Sequence, residues 1–175
     1  TYGGGQGAKF NDDGMDGVHT NMTNTRNAPV EVLENTYPFE INRYELVENS
    51  EGAGEFRGGM GMTREIKVTN EAAVSINTAR MKHRPWGVNG GKNATGTKID
   101  ITYPNGKQES LETTFVNEEI DSNTEIKLQT AGGGGWGEPL DRDPSAVKSD
   151  VRDGLISRER AREVYGVVID EDGMI

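Results

Sequence analysis

The sequence predicts an α+β fold that is mainly β: antiparallel sheets joined by Gly-rich loops, followed by a short C-terminal helical segment. Three observations predict it. Short runs between residues 39 and 131 alternate apolar and polar residues at the two-residue period of a half-buried strand. The 24 glycines gather in runs such as Gly58-Gly59 and Gly132-Gly133-Gly134-Gly135, which break helices and punctuate strands. Beyond residue 141 the pattern changes to caps and apolar residues one helical turn apart. The 175 residues are read as a single domain in three stretches: a polar, Gly-rich loop region at 1–38, a β-rich core at 39–131, and a helical tail at 141–169 that ends in a short strand.

The strands follow in order. Phe39 and Ile41 alternate before the phase slips to Tyr44 and Leu46, which predicts a β-bulge. Met62, Ile66 and Val68 share one face of the next strand with Arg64 among them, and Ala72, Val74, Ile76 and Thr78 share a face of the third. Ile99, Ile101 and Tyr103 lead into Pro104-Asn105-Gly106, a hairpin turn, and the return strand is read through Leu111, Thr113 and Phe115. After Asp121-Ser122-Asn123 a strand carries Ile126 and Leu128. The four-glycine run then admits two readings: a flexible linker, or a place where backbone must pass close to something. In the tail, Asp143 caps a helix that opens on Pro144, places Val147 and Val151 one turn apart and stops at Gly154. Ser157 opens a second helix, Gly166 ends it, and Val167-Val168-Ile169 reads as the final strand.

Composition bounds the partners. Lys and Arg number 19 against 29 Asp and Glu, a net charge of -10, so the surface repels nucleic acid and anionic membrane. No apolar run approaches the length that spans a bilayer. With no cysteine, disulfides and thiolate chemistry are excluded; that absence and the lack of a secretory pattern fit a cytoplasmic protein. Leu, Ile, Val and Phe supply only 33 residues, about 19%. A core this thin is expected to bury further surface against another chain or domain.

Two polar clusters are the candidate site. In the first, His19, Thr20, Asn21, Thr23, Asn24, Thr25, Arg26 and Asn27 fall within nine positions. Amide, hydroxyl, imidazole and guanidinium groups together suit the reading of a small polar ligand, although Thr and Asn also build turns that satisfy only their own backbone. The second, Arg80, Lys82, His83 and Arg84 beside Trp86, concentrates positive charge in an acidic protein; it suits an anion or carboxylate, or else a surface loop that offsets nearby acids. Gly87 to Lys92 fails as a phosphate loop, because Trp86 and Asn93 stand where Gly and Ser or Thr are required. With two histidines, the chain offers no complete metal site; His19, with Asp12, Asp13 or Asp16, is at most a contributing ligand to one built elsewhere.

Five blocks carry a resemblance: DGMDGVHTNMTNTRNAPVEVLE at 13–34, YELVENSEGAGEFRGGMGMTREI at 44–66, RPWGVNGG at 84–91, GGGGWGEPLDRDP at 132–144 and DVRDGLISRERAREVYGVVI at 150–169. In this order they resemble the C-terminal part of the hydantoinase B family, which includes the corresponding half of 5-oxoprolinase and subunits of acetone- and acetophenone-type carboxylases. The resemblance implies a C-terminal segment or small subunit of an ATP-dependent cyclic amide hydrolase, of hydantoin, N-methylhydantoin or 5-oxoproline type. It implies two partners, a hydantoinase A-like subunit that binds ATP and Mg and the upstream hydantoinase B-like portion, and a divalent metal in the complete enzyme. The alternatives are part of an ATP-dependent carboxylase and a noncatalytic assembly module.

On this resemblance His19, Asn24 and Arg26 are expected to be catalytic, and Thr20, Thr23, Asn27, Glu31, Arg80 and His83 to bind substrate. Two positions depart from the family pattern HTHMTNTRNTPVE. Asn21 replaces its second histidine and Ala28 the threonine before its proline, which removes any role that rests on that histidine.

Overall fold

The computed structural model describes residues 1–19, 24–112, 114–170 and 172–173, with Phe115 described by its backbone alone. Among the described residues, seven strands form two antiparallel sheets: β1 (Phe39–Leu46), β2 (Met62–Val68), β3 (Ala72–Ile76), β4 (Lys98–Thr102), β5 (Gln108–Ser110), β6 (Phe115–Ile120) and β7 (Glu125–Gln129). The larger sheet has the order β1-β2-β7-β4-β5, and β3 pairs with β6 in the smaller one. Mainly β within α+β is therefore the observed class.

The inward residues of both sheets make one core: Val68, Ile99, Ile101, Ile120, Ile126 and Leu128, with Ala72, Val74 and Ile76 packed on them. The pleat explains the selection, since Ile66, Ile126 and Ile101 sit opposite one another across three neighbouring strands. The register of β1 against β2 shifts between Ile41 and Arg43, where the change of apolar phase predicts a bulge. Asn105 and Gly106, the latter at φ 82°, turn the β4–β5 hairpin. The return strand is shorter than expected: β5 ends at Ser110, and Phe115 opens β6, which joins the other sheet. Thr113 lies outside the described residues.

A second core sits beneath the helices. α2 (Pro144–Arg152) is capped by Asp143, which accepts from the Ser145 N–H, and α3 (Arg158–Tyr165) by Ser157, which accepts from the Arg160 N–H. Gly166, left-handed at φ 69°, stops α3. Val147, Ile156, Ala161, Tyr165 and Val167 close over Ala53 and Met60. Val167 to Ile169 do not form the expected strand; the Val167 N–H bonds back to Ala161 of α3, and its side chain joins this core in place of a strand partner. Within the stretch read as loop, Val30–Thr36 forms a helix, α1. It has no buried residue and no side-chain cap, so neither an apolar stripe nor a capping pattern announces it.

Between the cores lies a bundle of extended glycine segments. Gly5 donates to Ala131, Gly59 to Gln6, Gly133 to Gly59, Gly52 to Gly133 and Gly135 to Lys92, all at 2.8–3.1 Å. A Cβ on Gly58 would stand 1.7 Å from the Gly133 carbonyl oxygen, and one on Gly133 1.8 Å from that of Gln6. The polyglycine run is thus a packed layer held by backbone pairing, where even a methyl group has no room.

Candidate functional site

The first polar cluster leads into an open groove of about 630 Å³. Thr25, Arg26, Asn27 and Ala28 form one wall, Leu33, Tyr37 and Phe39 another, and Thr1, Tyr2, Arg64 and Ser75 complete it. α1 and the start of β1 place the apolar wall.

Of the residues expected from sequence, His19 and Asn27 meet. His19 Nε2 lies 3.3 Å from Asn27 Oδ1, and Asn27 Nδ2 donates to the Tyr44 hydroxyl at 2.6 Å. An amide oxygen only accepts, so Nε2 is the donor in this contact. Nδ1 is enclosed and has no hydrogen-bond partner among the described residues. Arg26 is exposed and reaches the groove wall. Asn24 is exposed and is not part of the wall, and Glu31, on the first exposed turn of α1, accepts from the Asn35 side chain through its backbone carbonyl. Thr20 and Thr23, and Asn21 at the departed histidine position, lie outside the described residues.

The second cluster borders a neighbouring groove of about 490 Å³ lined by Arg80, Trp86, Thr97 and the glycine backbones 3–5 and 132–134. The Arg80 guanidinium is 5.4 Å from the centre of the Trp86 ring, so the tryptophan is a flat wall for this cation. Tyr2 lines both grooves and joins the two clusters. His83 is exposed and lines neither.

The acids considered beside His19 are committed elsewhere. Arg142 forks onto Asp13 at 2.7 and 2.8 Å and also donates to Asp150 at 2.8 Å; Arg57 donates to Asp150 at 3.0 Å and Asp16 at 2.9 Å. Asp12 pairs with Lys9. Burial alone would depress both guanidinium groups, but the facing carboxylates hold them above the ordinary arginine value. This network ties the 13–16 loop and residue 57 to α2, which makes it a strut for the site. Nearby, burial pushes the Glu51 carboxyl above its usual range despite Arg160 and the Tyr165 hydroxyl beside it. Among the described residues no three His, Cys, Asp or Glu side chains converge as a metal site. The described residues do not fit a self-contained metal centre.

Tyr2, Tyr44 and Arg64 escape the motif reading. Arg64 is buried in β2, its guanidinium over the Tyr2 ring at 4.3 Å and over the Tyr44 ring at 4.1 Å. The available signal was an arginine at an inward position of an otherwise apolar strand face.

Comparison with known proteins agrees with this architecture. A protein of Pseudomonas sp. (strain NS671), named as the B component of a D-/L-hydantoinase, is 38% identical over 169 residues, which cover 96% of this chain and 28% of that protein. The crystal structure of ATP-dependent caprolactamase from Pseudomonas jessenii superposes with a TM-score of 0.81 at 29% identity, over 98% of this chain and 31% of that one. A nucleotide-free acetone carboxylase structure shares the fold, with a TM-score of 0.82 at 23% identity over 98% of this chain and 27% of that chain. The chain thus spans less than a third of the length of each of these proteins. No helix among the described residues is long and apolar enough to cross a membrane. The family model for hydantoinase B/oxoprolinase matches residues 1–139, and the chain belongs to that family.

Proposed function

We propose that this chain is the C-terminal segment or a small subunit of a hydantoinase B-like, ATP-dependent cyclic amide hydrolase, and that its polar loop lines the substrate site. The observation that carries this is the groove walled by Thr25 to Ala28 within the family-matched region. The likeness to an ATP-dependent caprolactamase supports the reaction class.

An amide carbonyl is a poor electrophile, and transfer of the γ-phosphoryl group of ATP to its oxygen makes an imidate that water attacks. The ring C–N bond then breaks, the ring carbon gains oxygen from water, and ADP and phosphate leave. A hydantoinase A-like partner supplies the nucleotide chemistry. On this side Arg26 holds a carboxylate or phosphate, Asn24 and Asn27 orient the ring amide, and His19 fixes Asn27 through Nε2. Thr20, Thr23, Glu31, Arg80 and His83 are assigned to substrate contact in the complete assembly.

The test is ATP-dependent ring opening of hydantoin, N-methylhydantoin and 5-oxoproline by the complete complex. Arg26→Ala and Asn24→Ala are expected to lower kcat/KM at least tenfold, about 1.4 kcal/mol of transition-state stabilisation each. Unchanged turnover in both would make the loop structural only. Bicarbonate-dependent consumption of a ketone would replace the hydrolase by a carboxylase.

A further inference from the structure

The geometry points to a built oxyanion site centred on Arg64, which takes a carboxylate or a phosphoryl group in the plane of its guanidinium. Among the described residues three arginines are buried, and they divide sharply. Arg57 and Arg142 are each matched to two carboxylates. Arg64, only 6% exposed, has no ion-pair or hydrogen-bond partner for its side chain among the described residues, and its Nε is fully enclosed and unpartnered.

A buried guanidinium without a counter-ion is unfavourable unless something answers its charge. Tyr2 and Tyr44 answer part of it, since the guanidinium lies over both rings. The ring faces leave its N–H donors unanswered, the enclosed Nε–H among them. A planar oxyanion arriving edge-on would meet those donors as a fork, in the geometry that arginine offers and lysine does not.

Arg64 lines the 630 Å³ groove, and Arg26, Thr25 and Ser75 share the wall, bringing a second cation and two hydroxyls. In a chain of net charge -10, two arginines on one groove run against the overall field. The loop residues act on this site at one remove. Asn27, itself held by His19, donates to the Tyr44 hydroxyl and so fixes the ring that covers Arg64. Asn27 and His19 are in this respect positioning residues.

The inference rests on the proposed function only in taking this groove as the ligand's, and its test needs neither ATP, partner nor turnover. The chain is titrated with inorganic phosphate and, separately, with acetate, at constant ionic strength. Binding is followed through the Nε–H resonance of Arg64 and by calorimetry. At least one anion is expected to bind saturably and to move that resonance with the same midpoint. Arg64→Met is expected to weaken the preferred anion at least tenfold and Arg64→Lys at least threefold. Preference for acetate identifies a substrate carboxylate as the ligand, and preference for phosphate a phosphoryl group. The wild-type resonance decides the matter even where Arg64→Met does not fold. Absence of a saturable shift with either anion, or equal affinity in Arg64→Met, overturns the proposal. Anion binding that persists in a complex without ring-opening activity would overturn the proposed reaction and leave this site standing.

Discussion

Replacing Gly133 by alanine tests whether the glycine bundle is a packed layer. The new Cβ would stand 1.8 Å from the Gln6 carbonyl oxygen, 2.2 Å from its carbon and 2.7 Å from the Gly7 nitrogen. All three are backbone atoms, so no rotamer change relieves the contact. Ordinary contact begins at 3.4 Å, and the two segments must part by the difference, about 1.6 Å. That movement disrupts three short hydrogen bonds, Gly133 to Gly59, Gly52 to Gly133 and Gly59 to Gln6, each 2.8 Å. At about 1 kcal/mol net for each bond and about 1–3 kcal/mol for overpacking, less about 0.4–1 kcal/mol from the stiffer unfolded chain, the loss is about 3–5 kcal/mol. With a urea m-value of about 2 kcal/mol/M the unfolding midpoint should fall by roughly 1.5–2.5 M. Gly154→Ala is the control: it has φ +71° but nothing within 4 Å of a Cβ. It should cost only the left-handed strain, about 1–2 kcal/mol. If Gly133→Ala unfolds at the same urea concentration as wild type, or at a higher one than Gly154→Ala, the run is a slack linker and the packing argument is wrong.

The ion network gives a second expectation. Asp150→Ala removes a carboxylate shared by two buried arginines and should cost about 3–5 kcal/mol in urea unfolding; a loss below about 1 kcal/mol would show that Asp13 and Asp16 hold both cations unaided. Glu51 sets a pH dependence. Its folded carboxyl sits above the ordinary value, so the folded state binds the proton more tightly and its contribution fades as pH rises through the folded value. The stability advantage of wild type over Glu51→Gln should therefore shrink between pH 4 and pH 7, and an advantage that grows over that window would contradict the sign. Ser157→Ala, which deprives the Arg160 N–H of its acceptor, should cost about 1 kcal/mol by thermal unfolding. No change there would mean that water replaces the cap.

The fold was legible wherever a local pattern fixed it. Alternation gave β1 to β4 and β7, Asn105-Gly106 gave the hairpin, and the Asp143-Pro144 and Ser157 caps placed α2 and α3. It was illegible where distant segments decided the outcome. Phe115 enters the second sheet because β3 offers it a partner, and Val167 to Ile169 find helix backbone and core where a strand needs a free edge. α1 carries no buried face to betray it.

The site divides in the same way. His19 and Asn27 were visible as polar types at close spacing, and the structure joins them. Asp13 and Asp16 looked like spare ligands because their partners are far off in sequence: Arg142 lies 129 residues from Asp13, and Arg57 41 residues from Asp16. Arg64 showed no motif, since its meaning comes from two tyrosines 62 and 20 positions away whose rings close on it only in the folded chain.

The glycine bundle also constrains how the chain reaches its native state. Segments near residues 5, 52, 59, 92 and 133 each complete the hydrogen bonding of another, and the glycines at these contact points bring no side chain to hold a partial assembly. An early pair would gain little from hydrophobic burial while losing the large conformational freedom of glycine. The layer should therefore assemble late and in one step, after the sheet and helix cores have brought its strands within reach. Closing loops of this length first makes folding slow, and it makes the 132–135 segment the last piece without which none of the others is secured.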